Sequence, residues 1–285
     1  MNIGLSGGLS GTGPILCAHL LRRVDGALVD LLRALPAEDW DRPTIAGNWR
    51  VRDVVAHLLD TALRKLSMVR DSTFVERVEI RSKQDVIELV NRLNREGVAV
   101  YRRLSAAVLI GLMERACDES ARFHESLDPF AQAVFGVSWA GEDSSLNWFD
   151  TARELTERWH HQQQIRLAVG RPGIMTRELY YPVLDCFVRG LPFAYRDVMA
   201  AAGTGVLLEI AGECGGFWLL QKTQSGWGFA AEMGAHIAAR VTLPQAIAWR
   251  VFTKGIDREE ARAEMRFEGD AALAEGILRL TAIVG

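Results

Sequence analysis

The chain has 285 residues, of which 49% are hydrophobic, and its formal net charge is −3 at pH 7. This length and composition predict two domains of ordinary size, each with its own hydrophobic core. No cluster of Lys and Arg marks a surface for phosphate groups, so nucleic acid is not expected as a partner.

The sequence lacks the features of secreted and membrane-bound proteins. No run of 18 or more apolar residues is present, and residues 1–13 are rich in Gly and Ser without the charged and apolar regions of a signal peptide. We therefore expect a cytoplasmic protein with a flexible tail over residues 1–13 and no membrane partner. The cysteines are far apart in the chain and predict buried, reduced thiols: Cys17, Cys117, Cys186 and Cys214.

Long helices separated by short breaks are predicted for the first part of the chain. Apolar residues recur there at helical spacing, and Pro36 ends the first helix. The predicted helices are 14–35, 51–69, 85–104, 106–125 and 146–168. Four main helices among these five are typical of a helical bundle, which we assign to residues 14–172.

The pattern changes after Gly170-Arg171-Pro172-Gly173. A helix over 177–198 leads into short apolar runs separated by Gly, which predict an antiparallel sheet. The predicted strands are 206–210, 217–221, 227–231, 237–241 and 264–267, and two further helices are 243–252 and 271–282. The chain is therefore predicted to be an α+β protein of two domains, with a small α/β domain at residues 173–285.

Glu157 and His161 lie four residues apart in the last predicted helix of the bundle. This spacing places both side chains on one helix face, about one turn apart, where they can bind a single ion. His160 points about 100° away from His161 and cannot easily join them. A solvated helix face is the ordinary explanation for such a pair, and Glu154 and Gln164 share this face.

His57 lies in the second predicted helix, at the margin of an apolar stripe. A hydrogen-bonded core histidine is the ordinary explanation for such a position. The stripe consists of Val51, Val54, Val55, Leu58 and Ala62. Spacing alone therefore leaves the role of His57 open.

Three parts of the chain resemble a known family. The segment Gly47-Asn48-Trp49-Arg50-Val51-Arg52-Asp53-Val54-Val55-Ala56-His57-Leu58 resembles the Trp-x-Val-x-Asp-Val-x-x-His signature of the DinB-like superfamily of helical bundles. Trp139-Ala140-Gly141, together with residues 156–166, resembles the second metal segment of its mycothiol-dependent maleylpyruvate isomerase branch. The segments Ala248-Trp249-Arg250 and Glu268-Gly269-Asp270 resemble the sterol-carrier-like α/β domain appended in that branch.

The resemblance implies a DinB-like four-helix bundle followed by this small domain. It also implies that His57, Glu157 and His161 bind one divalent metal ion. Two imidazoles and one carboxylate favour zinc, with nickel, iron or manganese as alternatives, and they leave a coordination position open. The chain departs from the signature at Arg50, where relatives often have a Ser or Thr that caps the helix.

The function implied by the resemblance is that of a metal-dependent transferase or isomerase. The metal would activate a low-molecular-weight thiol, such as mycothiol, for attack on a small electrophilic substrate. Arg166 is a candidate for binding a substrate carboxylate, although an Arg near a helix C-terminus is also favoured by the helix dipole. Two alternatives stay open: a non-enzymatic metal-dependent protein that binds a small ligand, and a hydrolase that uses metal-bound water with Glu154 as general base.

Overall fold

The computed structural model describes residues 8–74, 78–232, 234 and 236–283. The described residues form two compact units. The first, the helical unit, comprises residues 16–74, 78–134 and 146–174. The second, the sheet unit, comprises residues 8–15, 135–145, 175–232, 234 and 236–283. The predicted α+β composition, with helices first and a sheet after them, is confirmed.

The helical unit contains five long helices among its described residues. These are α1 (Ala18–Arg33), α2 (Val51–Lys65), α3 (Lys83–Tyr101), α4 (Ala106–Ser126) and α5 (Asn147–Val169). All five lie close to the predicted ranges, although the second predicted helix, 51–69, ends within a π-helical turn, Leu66–Arg70. Within the described part of the chain, no helix combines the length and the apolar character needed to cross a membrane.

Local sequence signals explain where these helices begin and end. The Ser105 hydroxyl caps α4 by accepting from the Val108 N–H, and α5 ends at Gly170, whose φ of 65° suits a residue without a side chain. The departure at Arg50 is compensated locally. The Asp53 carboxylate, in the first turn of α2, accepts a hydrogen bond of 3.0 Å from the Arg50 N–H.

One apolar core lies between α1, α2, α4 and α5. Each of the four helices contributes side chains to it, and α3 packs chiefly against α2. Its buried members include Leu28, Leu32, Val54, Leu59, Leu109, Met113 and Ile165. The core includes side chains of both α2 and α5, and these two helices carry the three predicted metal ligands.

The sheet unit contains a five-stranded sheet of order β3-β2-β1-β4-β5. The strands are β1 (Thr204–Ala211), β2 (Gly216–Lys222), β3 (Trp227–Phe229), β4 (His236–Pro244) and β5 (Arg266–Gly269). The prediction of an antiparallel sheet is wrong for one pair, because β4 follows β3 in the chain but lies parallel to β1, on the side away from β2. Apolar alternation is the same in either direction, so the pattern could not show this.

Short helices complete the sheet unit. Two of the predicted helices differ from those observed. The predicted helix 177–198 is broken at Gly190 into α6 (Arg177–Val188) and α7 (Leu191–Ala194). The others are α8 (Gln245–Phe252), α9 (Arg258–Glu264) and α10 (Ala271–Glu275). The predicted helix 271–282 is shorter than expected, because α10 gives way to a 3₁₀ turn at Gly276. Helix α9 was missed because it is short and mostly charged.

Two segments distant in sequence also belong to the sheet unit. Residues 135–145 do so although the predicted boundary places them in the bundle. Of the predicted flexible tail, residues 1–7 lie outside the described residues, whereas the Ser10 N–H donates to the Phe217 carbonyl at 2.8 Å. The Ser10 hydroxyl also contacts the Tyr181 hydroxyl at 2.5 Å. Residues 8–13 are thus held against β2 and α6.

The apolar core of the helical unit can be tested with two leucines of α4. Leu109 is fully buried, whereas Leu112, one turn further along, is 39% exposed. We expect Leu109→Ala to lower the free energy of unfolding by about 2–5 kcal/mol, because it leaves a cavity. Leu112→Ala should change it by less than about 0.5 kcal/mol. Chemical denaturation followed by circular dichroism measures both values, and equal losses would contradict the placement of the core.

Candidate metal site

The structure brings together the three residues that the resemblance implies as ligands. His57 extends from α2, and Glu157 and His161 extend from α5. One potential ligand atom from each of the three lies within 4.8 Å of the others. His161 Nε2 is 3.5 Å from Glu157 Oε2.

A polar contact orients the ring of His161. Its Nδ1 is 2.8 Å from the Gln164 side-chain oxygen, which can only accept. Nδ1 therefore donates to Gln164, and in the neutral imidazole Nε2 keeps a lone pair that can bind a metal ion. Partners of this kind orient the imidazoles that bind metals in proteins.

His57 is buried and neutral. Burial and the nearby His161 hold the pKa of its imidazole well below the usual value. Its Nδ1 is buried and has no hydrogen-bond partner within the described part of the chain. The half-buried Trp49 ring lies beside it, with ring centroids 4.8 Å apart, and forms one wall of the site.

Glu157 supplies the negative charge of the cluster. Burial raises the pKa of its carboxyl, but the contact with His161 and the neighbouring His160 and Arg153 lower it more, to about 2. The carboxyl is thus ionised at neutral pH, although about a quarter of the side chain, 27%, stays exposed. Neutral His57 and ionised Glu157 are in the protonation states that a divalent cation requires of its ligands.

His160 stays outside the cluster, as its position on the helix predicts. Its Nδ1 donates to the Thr156 carbonyl at 2.7 Å, and its ring packs against that of His161 with centroids 4.0 Å apart. Burial and the adjacent His161 lower its pKa to about 3. His160 is therefore a neutral wall of the site.

The three ligands fit a divalent metal. Ligand atoms bound tetrahedrally to zinc lie about 3.4 Å apart. The Glu157–His161 pair already has this separation, so the cluster needs to contract by about 1.4 Å at its widest. Binding through these three side chains would leave a fourth position open for a ligand from solution.

Buried charges surround α5 beside this cluster, and the sequence analysis missed them. Lys65 Nζ, from α2, lies 2.9 Å from Asp150 Oδ2 and 3.3 Å from Glu154 Oε2. Arg153 pairs with Asp150 at 2.8 Å, and Arg158 pairs with Glu154 at 3.2 Å. The sequence does show charged residues around most of the circumference of this helix. Such charges are normally exposed to solvent, so their burial was not predicted.

The ordinary explanation of a solvated face is therefore excluded. Glu154 is only 6% exposed and Gln164 only 5%. Burial raises the pKa of the Glu154 carboxyl, but Lys65 and Arg158 lower it more, so that it lies well below its usual range. Both oxygens of Glu154 contact cations, which leaves it poorly suited to the role of general base in hydrolysis.

Arg166 is held by backbone oxygen atoms. Its guanidinium donates to the carbonyls of Ala27, Arg171 and Pro172 at 3.1–3.4 Å. These contacts fasten the end of α5 to α1 and to the following loop. Binding of a substrate carboxylate by Arg166 stays a prediction.

The buried charges generate a prediction about stability. Lys65→Met leaves Asp150 and Glu154 buried without their ammonium partner, so we expect the free energy of unfolding to fall by about 3–5 kcal/mol. Adding Asp150→Asn and Glu154→Gln removes the excess negative charge, while Arg158 keeps Asp25 and Arg153 is partly exposed, so part of the loss should be recovered. Urea denaturation measures both variants, and a Lys65→Met protein of unchanged stability would contradict the ion pairs.

Comparisons with known proteins bear on the family and the fold. Residues 21–166 match the family described as "Mycothiol maleylpyruvate isomerase N-terminal domain". The crystal structure of a mutant of the mycothiol-dependent maleylpyruvate isomerase is similar at 11% identity and a TM-score of 0.52, over 89% of this chain and 92% of that one. A second structure of that isomerase has 12% identity and a TM-score of 0.49, over 82% and 86% of the two chains. No curated protein matches the chain in sequence. At this identity, the first structure shows a shared fold.

Proposed function

The chain belongs to the mycothiol maleylpyruvate isomerase N-terminal domain family, and on that premise we propose that it is a metal-dependent enzyme that uses a low-molecular-weight thiol. This membership confirms the resemblance found in the sequence. The proposed reaction is transfer of the thiol to a small electrophilic substrate, or isomerisation of that substrate through reversible addition of the thiol.

The cluster of His57, Glu157 and His161 carries this proposal. Two imidazoles and one carboxylate suit zinc, with nickel, iron or manganese as alternatives. A divalent ion bound there supplies a Lewis acid that lowers the pKa of a thiol at the open position.

The protein's own residues supply binding and orientation. The Gln164 side-chain oxygen accepts from His161 Nδ1, which leaves Nε2 of the neutral imidazole available as a ligand. Trp49 covers one side of the cluster and reduces its access to water. A drier site strengthens every electrostatic interaction inside it.

Metal content tests the ligand set. We expect the purified protein to bind about one divalent ion per chain, and His57→Ala and His161→Ala to lose it, because each removes one of three ligands. His19→Ala, which changes an exposed histidine of α1, is the control and should keep the metal. Elemental analysis that finds unchanged metal in both ligand variants would refute the assignment, and full metal content in Glu157→Ala would exclude that residue as a ligand.

Cobalt replacement tests the thiol. A sulfur ligand adds an intense near-ultraviolet charge-transfer band to the cobalt spectrum, so we expect this band when mycothiol is added to the cobalt-loaded protein. Bacillithiol and glutathione test which thiol is preferred. If no thiol at millimolar concentration produces the band, thiol chemistry is excluded and a metal-dependent binding protein becomes the better interpretation. The mycothiol-dependent isomerisation of maleylpyruvate is the first activity to assay.

A further inference from the structure

The proposed metal site is divided between two helices. Glu157 and His161 are one turn apart on α5, so their separation is set by the helix itself. His57 comes from α2, and its distance from the other two ligands depends on how α2 lies along α5. Binding sites lose affinity when ligands are displaced by about 0.5 Å, so this spacing must be closely controlled.

Lys65 provides a direct polar connection between these helices. It follows His57 by eight residues on α2, which is about two helical turns. Its ammonium contacts Asp150 at 2.9 Å and Glu154 at 3.3 Å, both on α5. Glu154 precedes Glu157 by three residues, so the ion pairs and the metal ligands occupy neighbouring turns of the same two helices.

The carboxylates that hold Lys65 are themselves restrained. Arg153 binds Asp150, and Arg158 binds Glu154. Arg158 extends the network further, to Asp25 of α1 and, at 2.6 Å, to the Ser120 hydroxyl of α4. The side chains of Lys65, Asp150 and Glu154 are each no more than 8% exposed. The contacts therefore act in a low dielectric, where they are strong and directional.

Stability alone is a weak reason for burying such a group. Replacing a buried ion pair by apolar side chains of similar volume is often neutral or stabilising, and the best-attested use of buried polar groups is to fix register. An apolar contact between α2 and α5 would tolerate sliding, whereas an ammonium between two restrained carboxylates does not.

We propose that Lys65 is a positioning residue for the metal site, holding α2 in register with α5 so that His57 meets Glu157 and His161 around one ion. This inference rests on the proposed metal-binding function. It assigns Lys65, Asp150 and Glu154 no contact with the ion.

The test compares metal binding by three proteins. The variant Lys65→Met, Asp150→Asn, Glu154→Gln removes the bridge and leaves no unpaired carboxylate. Arg158 keeps Asp25 in this variant, and Arg153, which loses Asp150, is partly exposed to solvent. The control, Arg64→Met, removes the neighbouring cation of α2, which binds Asp60 of the same helix at 2.6 Å and Asn94 of α3 at 2.8 Å. The control therefore loses a connection to α3, which carries no proposed ligand.

Cobalt is the probe. Competition with a chelator measures its affinity, and its visible absorption bands report its coordination geometry. We expect the triple variant to bind cobalt about 10–100-fold more weakly than the wild type, the loss typical of disturbed outer-shell partners, with altered visible bands. Arg64→Met should keep the wild-type bands and affinity. Circular dichroism and urea denaturation establish that both variants are folded.

Each outcome decides one question. A folded triple variant with wild-type affinity and bands overturns the positioning role, while metal binding by the wild type stands. A wild type that binds no cobalt overturns the proposed function and this inference with it. Should the triple variant not fold, Lys65→Met with Glu154→Gln decides, because it removes the Lys65 bridge while Arg153 keeps Asp150 and Arg158 keeps Asp25. Weaker binding with altered bands supports the inference, and unchanged binding overturns it.

Discussion

The contact between α2 and α5 through buried polar side chains is the constraint on which the helical unit depends. Helices that face a core normally meet through apolar residues, yet here Lys65 of α2 is enclosed by Asp150 and Glu154 of α5. Taking these charges out of water has a large cost, which is offset only when every charge has a partner at short distance. The network meets this condition, because Arg153 and Arg158 bind the same two carboxylates.

The same burial prepares the candidate ligands. A low dielectric disfavours charge on an isolated imidazole, and His57 is neutral for that reason. It disfavours charge on a carboxyl as well, but contact with His161 and the nearby His160 and Arg153 lower the pKa of Glu157 further, so that it is ionised. Opposite environments thus give the two residue types the protonation states that a cation requires. The ion pairs of Lys65 and the protonation states of the candidate ligands therefore have one cause, the burial of polar side chains between α2 and α5.

The sequence indicated the candidate ligands better than it indicated their surroundings. Spacing placed Glu157 and His161 on one face, and resemblance added His57 from another helix. The Lys65 network was not predicted, because charges in a helical pattern are normally solvated and only tertiary packing encloses them. Helix ranges followed from apolar periodicity and caps, which are local. The parallel pairing of β1 with β4 could not be predicted from the apolar pattern. Strand direction is set by the connection between strands and leaves apolar alternation unchanged.

The ion pairs also bear on which chemistry the site can support. Activating water requires a large fall from its pKa of about 15.7, and a carboxylate base usually assists. Glu154, the carboxylate considered for this role, is bound by Lys65 and Arg158. A thiol needs much less help, since its pKa of about 8.5 is already close to neutrality and its thiolate is a strong nucleophile. A site in which the neighbouring carboxylates serve to hold the helices together therefore favours a nucleophile that one Lewis acid can activate, and a thiol meets this requirement.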